Sequence, residues 1–142
     1  MKKFKDYNKL RNFPAIGNTY LSAYLHFTTV SIREVYHRAL SELGVANNII
    51  NELHFRDFYV NICHYYPKVL DSKLKNFQEK FDVVKWKHNE AHLQAWKEGR
   101  TGFPIVDAAM RELNETGFMH NRCRMIVANF FSKDLFLDWK LG

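Results

Sequence analysis

Apolar residues recur along the chain at helical spacing, and capping signals mark where several of the predicted helices begin and end. Ser31 followed by Glu34 has the pattern of a capping box, which predicts a helix that runs to about Leu43 and stops at Gly44. The alternation typical of strands is missing, and neither repeats nor low-complexity segments stand out. The pattern therefore predicts an all-α fold without an obvious domain boundary.

A second helix is predicted to begin at Asn47 or Asn48, since either side chain can cap a helix. Apolar residues then follow helical spacing as far as His64, and Pro67 lies just beyond. The stretch 68–85 is charged and lacks this spacing, so we expect it to cross the surface.

Three further helices are predicted in the second half of the chain. Asn89 can cap a short helix that ends at Gly99, and Pro104 suits the first position of a helix that ends at Gly117. The segment 117–142 is apolar along most of its length and is predicted to form the last and longest helix.

Two of these helices carry apolar residues around most of their circumference. Phe55, Phe58 and Tyr59 in one helix, and Phe130 and Phe131 in another, cannot all face one side. Either the fold is a compact bundle of many helices, or part of the surface that covers them lies on chain that is absent. We favour the second interpretation.

Composition and charge narrow the class of protein. The chain has 142 residues, of which 46% are hydrophobic, and a net charge of +6, which favours an anionic partner although many basic domains bind none. No apolar run approaches the length of a membrane span, and the basic N-terminus lacks a secretion signal, so we expect a soluble intracellular protein. Two cysteines and seven scattered histidines do not have the spacing of a metal site. No Walker, GxSxG or GxGxxG motif follows a strand.

Polar residues cluster at the start of the last predicted helix. Asn121 and Arg124 are three positions apart and share a face, whereas Arg122 points elsewhere. A helix N-terminus with arginines suits a phosphate or carboxylate. The alternative is a solvated helix start whose arginines pair with nearby acids.

A second candidate lies in the stretch NELHFRDFY. Glu52 and Arg56 are four positions apart on one face, flanked by Phe55 and Tyr59. They form either an ordinary ion pair beside core aromatics or a cleft that suits a planar heteroaromatic ligand.

A third candidate is the stretch GNTYLSAYL, where Asn18, Thr19 and Ser22 place small polar groups beside a glycine. Such groups can surround phosphate oxygens, but they are also common in turns and caps.

The run WKHNEAHLQAWKEGRTGFPIVDAAMRELNETGFMHNRCRM resembles the flavin-binding helical domain of the photolyase/cryptochrome family, and most of all the class I cyclobutane pyrimidine dimer photolyases. NELHFRDFY and LRNFPAIGNTYLSAYL match the same domain upstream, in the right order. The resemblance covers almost the whole chain from about Tyr7, and its last third is highly specific. It implies that residues 1–142 are the N-terminal and central part of an all-α FAD-binding domain.

The resemblance implies that FAD is the cofactor. In the family its phosphates are held by a T-S-x-L-S turn, from which Asn18 and Tyr20 depart. The residues at the family's cofactor-binding positions, Asn18 included, are Tyr7, Asn18, Thr19, Leu21, Ser22, Arg56 and Arg124. An antenna chromophore would need an N-terminal α/β domain that is absent.

The resemblance also implies DNA that contains pyrimidine dimers as substrate, with one electron passing from excited reduced FAD to the dimer. Glu52 matches the glutamate that hydrogen-bonds the dimer, and Phe55 stands where an aromatic residue stacks on it. The positions that match DNA-contacting residues are Glu52, Phe55, Asn121, Arg122 and Met125. Catalytic roles are implied for Glu52 and Asn121, and electron transfer for Trp86 and Trp139. We expect Glu52, Arg56, Asn121 and Arg124 to line a common recess.

Three functions remain open. The first is light-driven dimer repair, as a fragment that lacks the family's later FAD-pocket segments and is not expected to be active alone. One candidate partner is then a separately encoded remainder of the enzyme. The second is a cryptochrome-like flavin photosensor, and the third is a non-catalytic remnant that binds DNA through its basic surface.

Overall fold

The protein is helical and divides into two compact units, residues 1–77 and 78–142. A computed structural model describes residues 2–16, 18–70, 80 and 82–142, and within these ranges no strand is found. An isolated parallel bridge joins Lys87 and Leu137. The prediction of an all-α fold is confirmed. Gly17 and much of the surface stretch predicted for residues 68–85 lie outside the described residues.

The first unit packs its helices around a small apolar core. The helices are α1 (Lys2–Lys5), α2 (Tyr7–Leu10), α3 (Leu21–His26), α4 (Ile32–Leu43) and α5 (Asn48–Tyr65), followed by a 3-10 turn at Pro67–Leu70. Its buried apolar residues are Leu25, Ala39, Ile49, Ile50 and Leu53. None of the helices in the described ranges is long and apolar enough to span a membrane.

The caps of α4 and α5 lie where the sequence predicts them. Gly44 ends α4 with a φ of 79°, which L side chains rarely adopt. Ser31 precedes α4, but its side chain makes no capping hydrogen bond, so the predicted capping-box bond is not formed. Asn47, rather than Asn48, caps α5, because its side chain accepts a hydrogen bond from the Ile49 backbone N–H at 3.0 Å.

The short helix α2 is tied to the start of α5 by one side chain. The Asn8 amide oxygen accepts a hydrogen bond from the Asn48 backbone N–H at 2.8 Å, and its amide nitrogen donates to the Ala46 carbonyl at 3.4 Å. A four-residue helix has almost no stability of its own. These bonds therefore hold α2 against the helix that carries Glu52 and Arg56.

The second unit has a larger core. Its helices are α6 (Glu90–Lys97), α7 (Pro104–Thr116) and α8 (Asn121–Asn129), followed by a π-helical turn at Phe130–Asp134 and a 3-10 turn at Trp139–Leu141. Its buried apolar residues are Leu93, Trp96, Val106, Ala109, Met110, Met119, Cys123, Val127, Phe130, Phe131 and Leu137.

The helix limits predicted around α6 and α7 are confirmed. Asn89 caps α6 by accepting a hydrogen bond from the His92 backbone N–H at 3.0 Å, and Pro104 begins α7, which Gly117 ends. Gly99 has a φ of +64°, and a Cβ there would lie 2.7 Å from the Asp107 carbonyl oxygen. The turn between the two helices therefore requires glycine.

The predicted long helix at the end of the chain is wrong. Regular α8 ends at Asn129 after nine residues, whereas α5 has 18. A wide turn follows, in which the Leu135 N–H donates to the Phe130 carbonyl at 3.0 Å. Because a π turn holds an additional residue, the adjacent rings of Phe130 and Phe131 are both buried, at 8% and 2% exposure.

Candidate functional site

The first unit gathers most of the predicted cofactor residues around one cavity of about 380 Å³. The cavity lies among α2, α3 and α5, so the tie between α2 and α5 shapes one side of it. The predicted site residues that line it are Tyr7, Thr19, Leu21, Ser22, Glu52 and Arg56. Hydroxyl groups, a guanidinium, a carboxylate and an aromatic ring thus meet over an apolar floor.

Glu52 pairs with a residue that the sequence did not single out. Its carboxylate lies 2.9 Å from a guanidinium nitrogen of Arg11, and both side chains are partly exposed. The Arg11 guanidinium carbon also lies 6.0 Å from the centre of the Tyr7 ring, within range of a cation–π contact. The predicted alternative of an i,i+4 ion pair between Glu52 and Arg56 is wrong, because the acid turns toward α2 instead.

The contacts of Arg56 with the described residues of its unit are weak. One guanidinium nitrogen donates to the Leu25 carbonyl at 3.4 Å, and another lies 3.7 Å from the exposed carboxylate of Asp57. Pairs of this kind at the surface contribute little, at most about 1 kcal/mol. The guanidinium can therefore exchange these contacts for an anion in the cavity at small cost.

The turn before α3 and the first turn of α3 each expose one hydroxyl group to the cavity, but the side chain of Asn18 does not line it. The Asn18 amide oxygen accepts a hydrogen bond from the Thr19 backbone N–H at 2.7 Å, whereas Thr19 and Ser22 line the cavity. Tyr20 has the left-handed values φ 55° and ψ 21°, which are uncommon outside glycine.

The aromatic residues of α5 lie mostly in solvent. Phe55 is 57% exposed and does not line the cavity, and Phe58 and Tyr59 are exposed to a similar degree. The rings of Phe55, Phe58 and Tyr59 are thus not covered by the residues of the first unit that the structure describes.

In the second unit the predicted residues divide between two cavities. Arg124 and Trp139 line one of about 230 Å³. Arg122 and Met125 line another of about 610 Å³, together with the exposed ring of Phe103. Asn121, the first residue of α8, is exposed and lines neither of them.

The first turn of α8 is shaped by a buried histidine. The ring nitrogen Nδ1 of His120 accepts a hydrogen bond from the Arg122 backbone N–H at 3.1 Å, and Arg124 Nε donates to the Met119 carbonyl at 3.2 Å. Burial, with a further contribution from the positive charge of Arg122, holds the pKa of His120 below its ordinary value, although Glu112 acts in the opposite direction.

A buried carboxylate organises the turn before α7. Asp107 accepts hydrogen bonds from the Thr101 backbone N–H at 2.7 Å, the Thr101 hydroxyl at 2.6 Å and the Gly102 backbone N–H at 2.9 Å. Burial alone would raise the pKa of Asp107, but the bonds from Thr101 and Gly102 and the charge of Arg111 together bring it below its ordinary value. The carboxylate is fully engaged and has a structural role.

The remaining candidates have simpler surroundings. The Trp86 ring lies 5.2 Å from that of Phe136, and Trp139 is partly exposed. Burial raises the pKa of the Cys123 thiol, which belongs to the core. Among the described residues no group of three or more His, Cys, Asp and Glu side chains is arranged to hold a metal ion.

Comparison with known proteins identifies the family. Residues 49–142 match the model of the FAD-binding domain of DNA photolyase. The chain belongs to this family. It is 47% identical over 144 residues to the deoxyribodipyrimidine photo-lyase of Escherichia coli K12, covering 96% of this chain and 30% of that protein.

Solved structures of photolyase relatives have the same fold. An archaeal photolyase from Sulfolobus tokodaii with two FAD molecules matches with a TM-score of 0.86 and 41% identity, over 96% of this chain and 30% of that one. A cryptochrome from Synechocystis sp. PCC6803 matches with a TM-score of 0.83 and 34% identity, over 99% and 30%. The chain thus spans about 30% of the length of these relatives.

Sequence reasoning missed Arg11 within this photolyase domain, because its contact with Glu52 spans 41 positions and no local pattern reveals it. It also missed His120 as the residue that caps α8. A histidine directly before a helix start is a weak capping signal, since serine, threonine, aspartate and asparagine are preferred there.

Proposed function

We propose that this chain is part of an enzyme that uses light to repair cyclobutane pyrimidine dimers in DNA, with FAD as cofactor. The observation that carries the proposal is the cavity shared by Tyr7, Thr19, Ser22, Glu52 and Arg56, all of which match functional positions of the photolyase family. The rest of the FAD-binding domain, provided by a separate chain, is the proposed partner. An antenna chromophore would belong to a further domain.

The residues around this cavity fit the phosphate end of FAD. The hydroxyl groups of Thr19 and Ser22 and the guanidinium of Arg56 are donors, as phosphate oxygens require, and Tyr7 offers a ring to the nucleotide. The side-chain amide of Asn18 is bonded to the Thr19 backbone N–H, and this bond would have to break before the Asn18 side chain could contact the phosphates. In the second unit, Arg124 is the proposed cofactor contact. When bound in its reduced form, FAD would supply under light the electron that opens the cyclobutane ring, and would take that electron back afterwards.

Glu52 is the proposed contact to the damaged bases. Its carboxylate can accept hydrogen bonds from base edges, and the 2.9 Å pair with Arg11 restricts where that carboxylate lies. A base that is processed outside the duplex loses its stacking partners, and the exposed ring of Phe55 is suited to replace them.

The start of α8 is the proposed DNA contact of the second unit. Asn121 is exposed, and Arg122 and Met125 share a cavity, so a hydrogen-bonding group, a cation and an apolar side chain are available. With a net charge of +6, DNA affinity should fall steeply as salt is added. Trp86 and Trp139 are proposed to carry electrons toward the cofactor.

Cofactor binding can be tested on the chain itself by titrating FAD and following flavin fluorescence. We expect Arg56→Gln to weaken binding roughly 10- to 100-fold, because a charge-assisted hydrogen bond contributes about 1.5–3 kcal/mol. Arg38→Gln is the matched control, since Arg38 is an exposed arginine of α4 that pairs with Glu42. Equal affinities for the two variants would remove Arg56 from the proposed site.

Repair can be tested by replacing the matching segment of the Escherichia coli photolyase with this chain. The hybrid enzyme should bind FAD and reverse dimers in UV-irradiated DNA under light. Glu52→Gln should slow repair by about tenfold or more, as loss of one charged hydrogen bond implies, while flavin content stays nearly unchanged. Glu42→Gln is the control, and parallel loss of flavin and repair would contradict the role of Glu52.

A flavin photosensor is the second candidate, favoured by the match to the Synechocystis cryptochrome. The same hybrid discriminates between the two, because a sensor would bind FAD and leave dimers intact. If the chain binds no FAD and does not distinguish irradiated from intact DNA, the third function, a DNA-binding remnant, is favoured.

A further inference from the structure

His120 is the most buried polar side chain in the second unit and the residue on which α8 begins. It is 3% exposed, and its Nδ1 accepts the Arg122 N–H at 3.1 Å. Its carbonyl accepts the Arg124 N–H at 3.0 Å. The ring of His120 thus satisfies one of the backbone donors that a helix start leaves open, while its carbonyl accepts the first regular bond of the helix.

The capping bond defines the chemical form of the ring. An imidazole nitrogen accepts a hydrogen bond only when it carries no proton, so the proton of the neutral ring lies on Nε2. That Nε2 is buried and has no hydrogen-bond partner within the described part of the chain. A second proton would place two N–H groups against each other at Nδ1 and a full charge in the core.

We propose that His120 is a positioning residue for the first turn of α8, and that this turn is ordered only while the ring is neutral. The turn carries Asn121, Arg122 and Arg124, so protonation of one buried ring would release all three side chains together. Any role of this turn in repair rests on the proposed function. The dependence of its order on the protonation of His120 does not.

The charges around the ring set the direction of the effect. Among the described residues, Glu112 of α7 favours the charged ring and Arg122 of α8 opposes it, while burial opposes it most. The pKa of His120 is consequently lower in the folded chain than in the unfolded chain. The contribution of the cap is therefore present above about pH 6.5, the ordinary value for histidine, and is lost as the pH falls below it.

The protonation state can be observed by nitrogen NMR of the full chain. At pH 7.5 we expect the His120 signals to be those of a neutral ring with the proton on Nε2. A proton on Nδ1 at this pH would overturn the proposal.

The order of the turn can be followed by hydrogen exchange of the Arg122 amide, expressed as protection over the unstructured rate. The Arg122 N–H bonds to His120 Nδ1, so its protection reports the cap. We expect protection of the Arg122 amide to fall at least tenfold between pH 7.5 and pH 5, while that of the Val127 amide, in the last turn of α8, changes less. Equal protection of Arg122 at the two pH values would contradict the coupling.

Variants separate the proton effect from the structural one. His120→Asn supplies an amide oxygen that caps without titrating, so Arg122 should stay protected at both pH values. In His120→Ala the Arg122 amide should be unprotected at both pH values. The control His88→Asn changes an exposed histidine of the same unit and should behave like the wild type. Persistent pH dependence in His120→Asn would assign the effect to another group. The test needs neither FAD nor DNA, so its failure is distinct from failure of the proposed repair function.

Discussion

The two units of the molecule differ in how much apolar core supports their functional residues. Among the described residues of the first unit, five buried apolar side chains form the core, and the candidate cavity of about 380 Å³ opens beside them. The described part of the second, shorter unit buries eleven apolar side chains and also encloses a carboxylate and an imidazole, Asp107 and His120. The first unit therefore positions its candidate residues with a small core and side-chain hydrogen bonds, whereas the second positions its candidate residues mainly by the packing of a larger core.

The largest expected effect comes from a matched pair of core truncations. Leu53 and Leu93 are both 6% exposed, but Leu53 lines the cavity and Leu93 does not. Leucine-to-alanine changes in cores cost about 2–5 kcal/mol, and the cost grows with the void that remains. We expect the loss of unfolding free energy to lie near the upper end of this range for Leu93→Ala and near the lower end for Leu53→Ala.

Site-resolved hydrogen exchange under urea should be used for this pair, because the two units need not unfold together. Each variant should destabilise mainly the amides of its own unit. Equal losses of unfolding free energy for the two variants would contradict the difference between the units, since they would mean that the first core is packed as densely as the second.

A change of intermediate size is expected from the buried acid of the second unit. Asp107→Asn places an amide where two backbone N–H groups and a hydroxyl require acceptors, and should lower the free energy of unfolding by about 2 kcal/mol at neutral pH. Glu115→Gln is the control, on the exposed side of the same helix.

The same variant gives a pH prediction. Because the pKa of Asp107 is lower in the folded chain than its ordinary value, its stabilisation is present above about pH 4 and is lost as the pH falls further. The difference between wild type and Asp107→Asn in urea denaturation should therefore shrink in acid. A difference that stays constant would show that the charge of Asp107 is not what stabilises the turn.

The smallest expected effect lies in the first unit and is a gain. Thr28 is a β-branched residue with a φ of 55°, a conformation that costs L residues roughly 1–2 kcal/mol. Thr28→Gly should raise the thermal midpoint, with a net gain of about 0.5–1 kcal/mol after the greater entropy of the unfolded glycine. Thr29→Gly should instead lower it, because the Thr29 hydroxyl donates to the Tyr24 carbonyl at 3.1 Å.

Much of the fold could be predicted because its helix ends carry local signals. Gly44, Asn47, Asn89, Pro104 and Gly117 act through their own backbone freedom or their own side chains, so their effect is visible in a few residues of sequence. The end of α8 carries no such signal. Its wide turn allows two adjacent rings to be buried together, and which rings are buried depends on the rest of the core.

The same distinction applies to the candidate site. Resemblance to the family selected the residues that the first-unit cavity brings together, whereas the pattern alone left an ordinary ion pair open for Glu52. The partner of Glu52 could not be predicted from spacing, because Arg11 directly follows another helix, α2, and reaches Glu52 through the packing of α2 on α5. Local rules find residues that act on their neighbours in sequence and miss those that act across the fold.

The side-chain amide of Asn8 determines how α2 packs against the start of α5. It lies 40 positions before Asn48 in the sequence and does not line the cavity, and yet it holds the single helical turn that Arg11 follows. In the hybrid enzyme that tests the proposed function, we consequently expect substitutions at Asn8 to resemble substitutions of Glu52 itself.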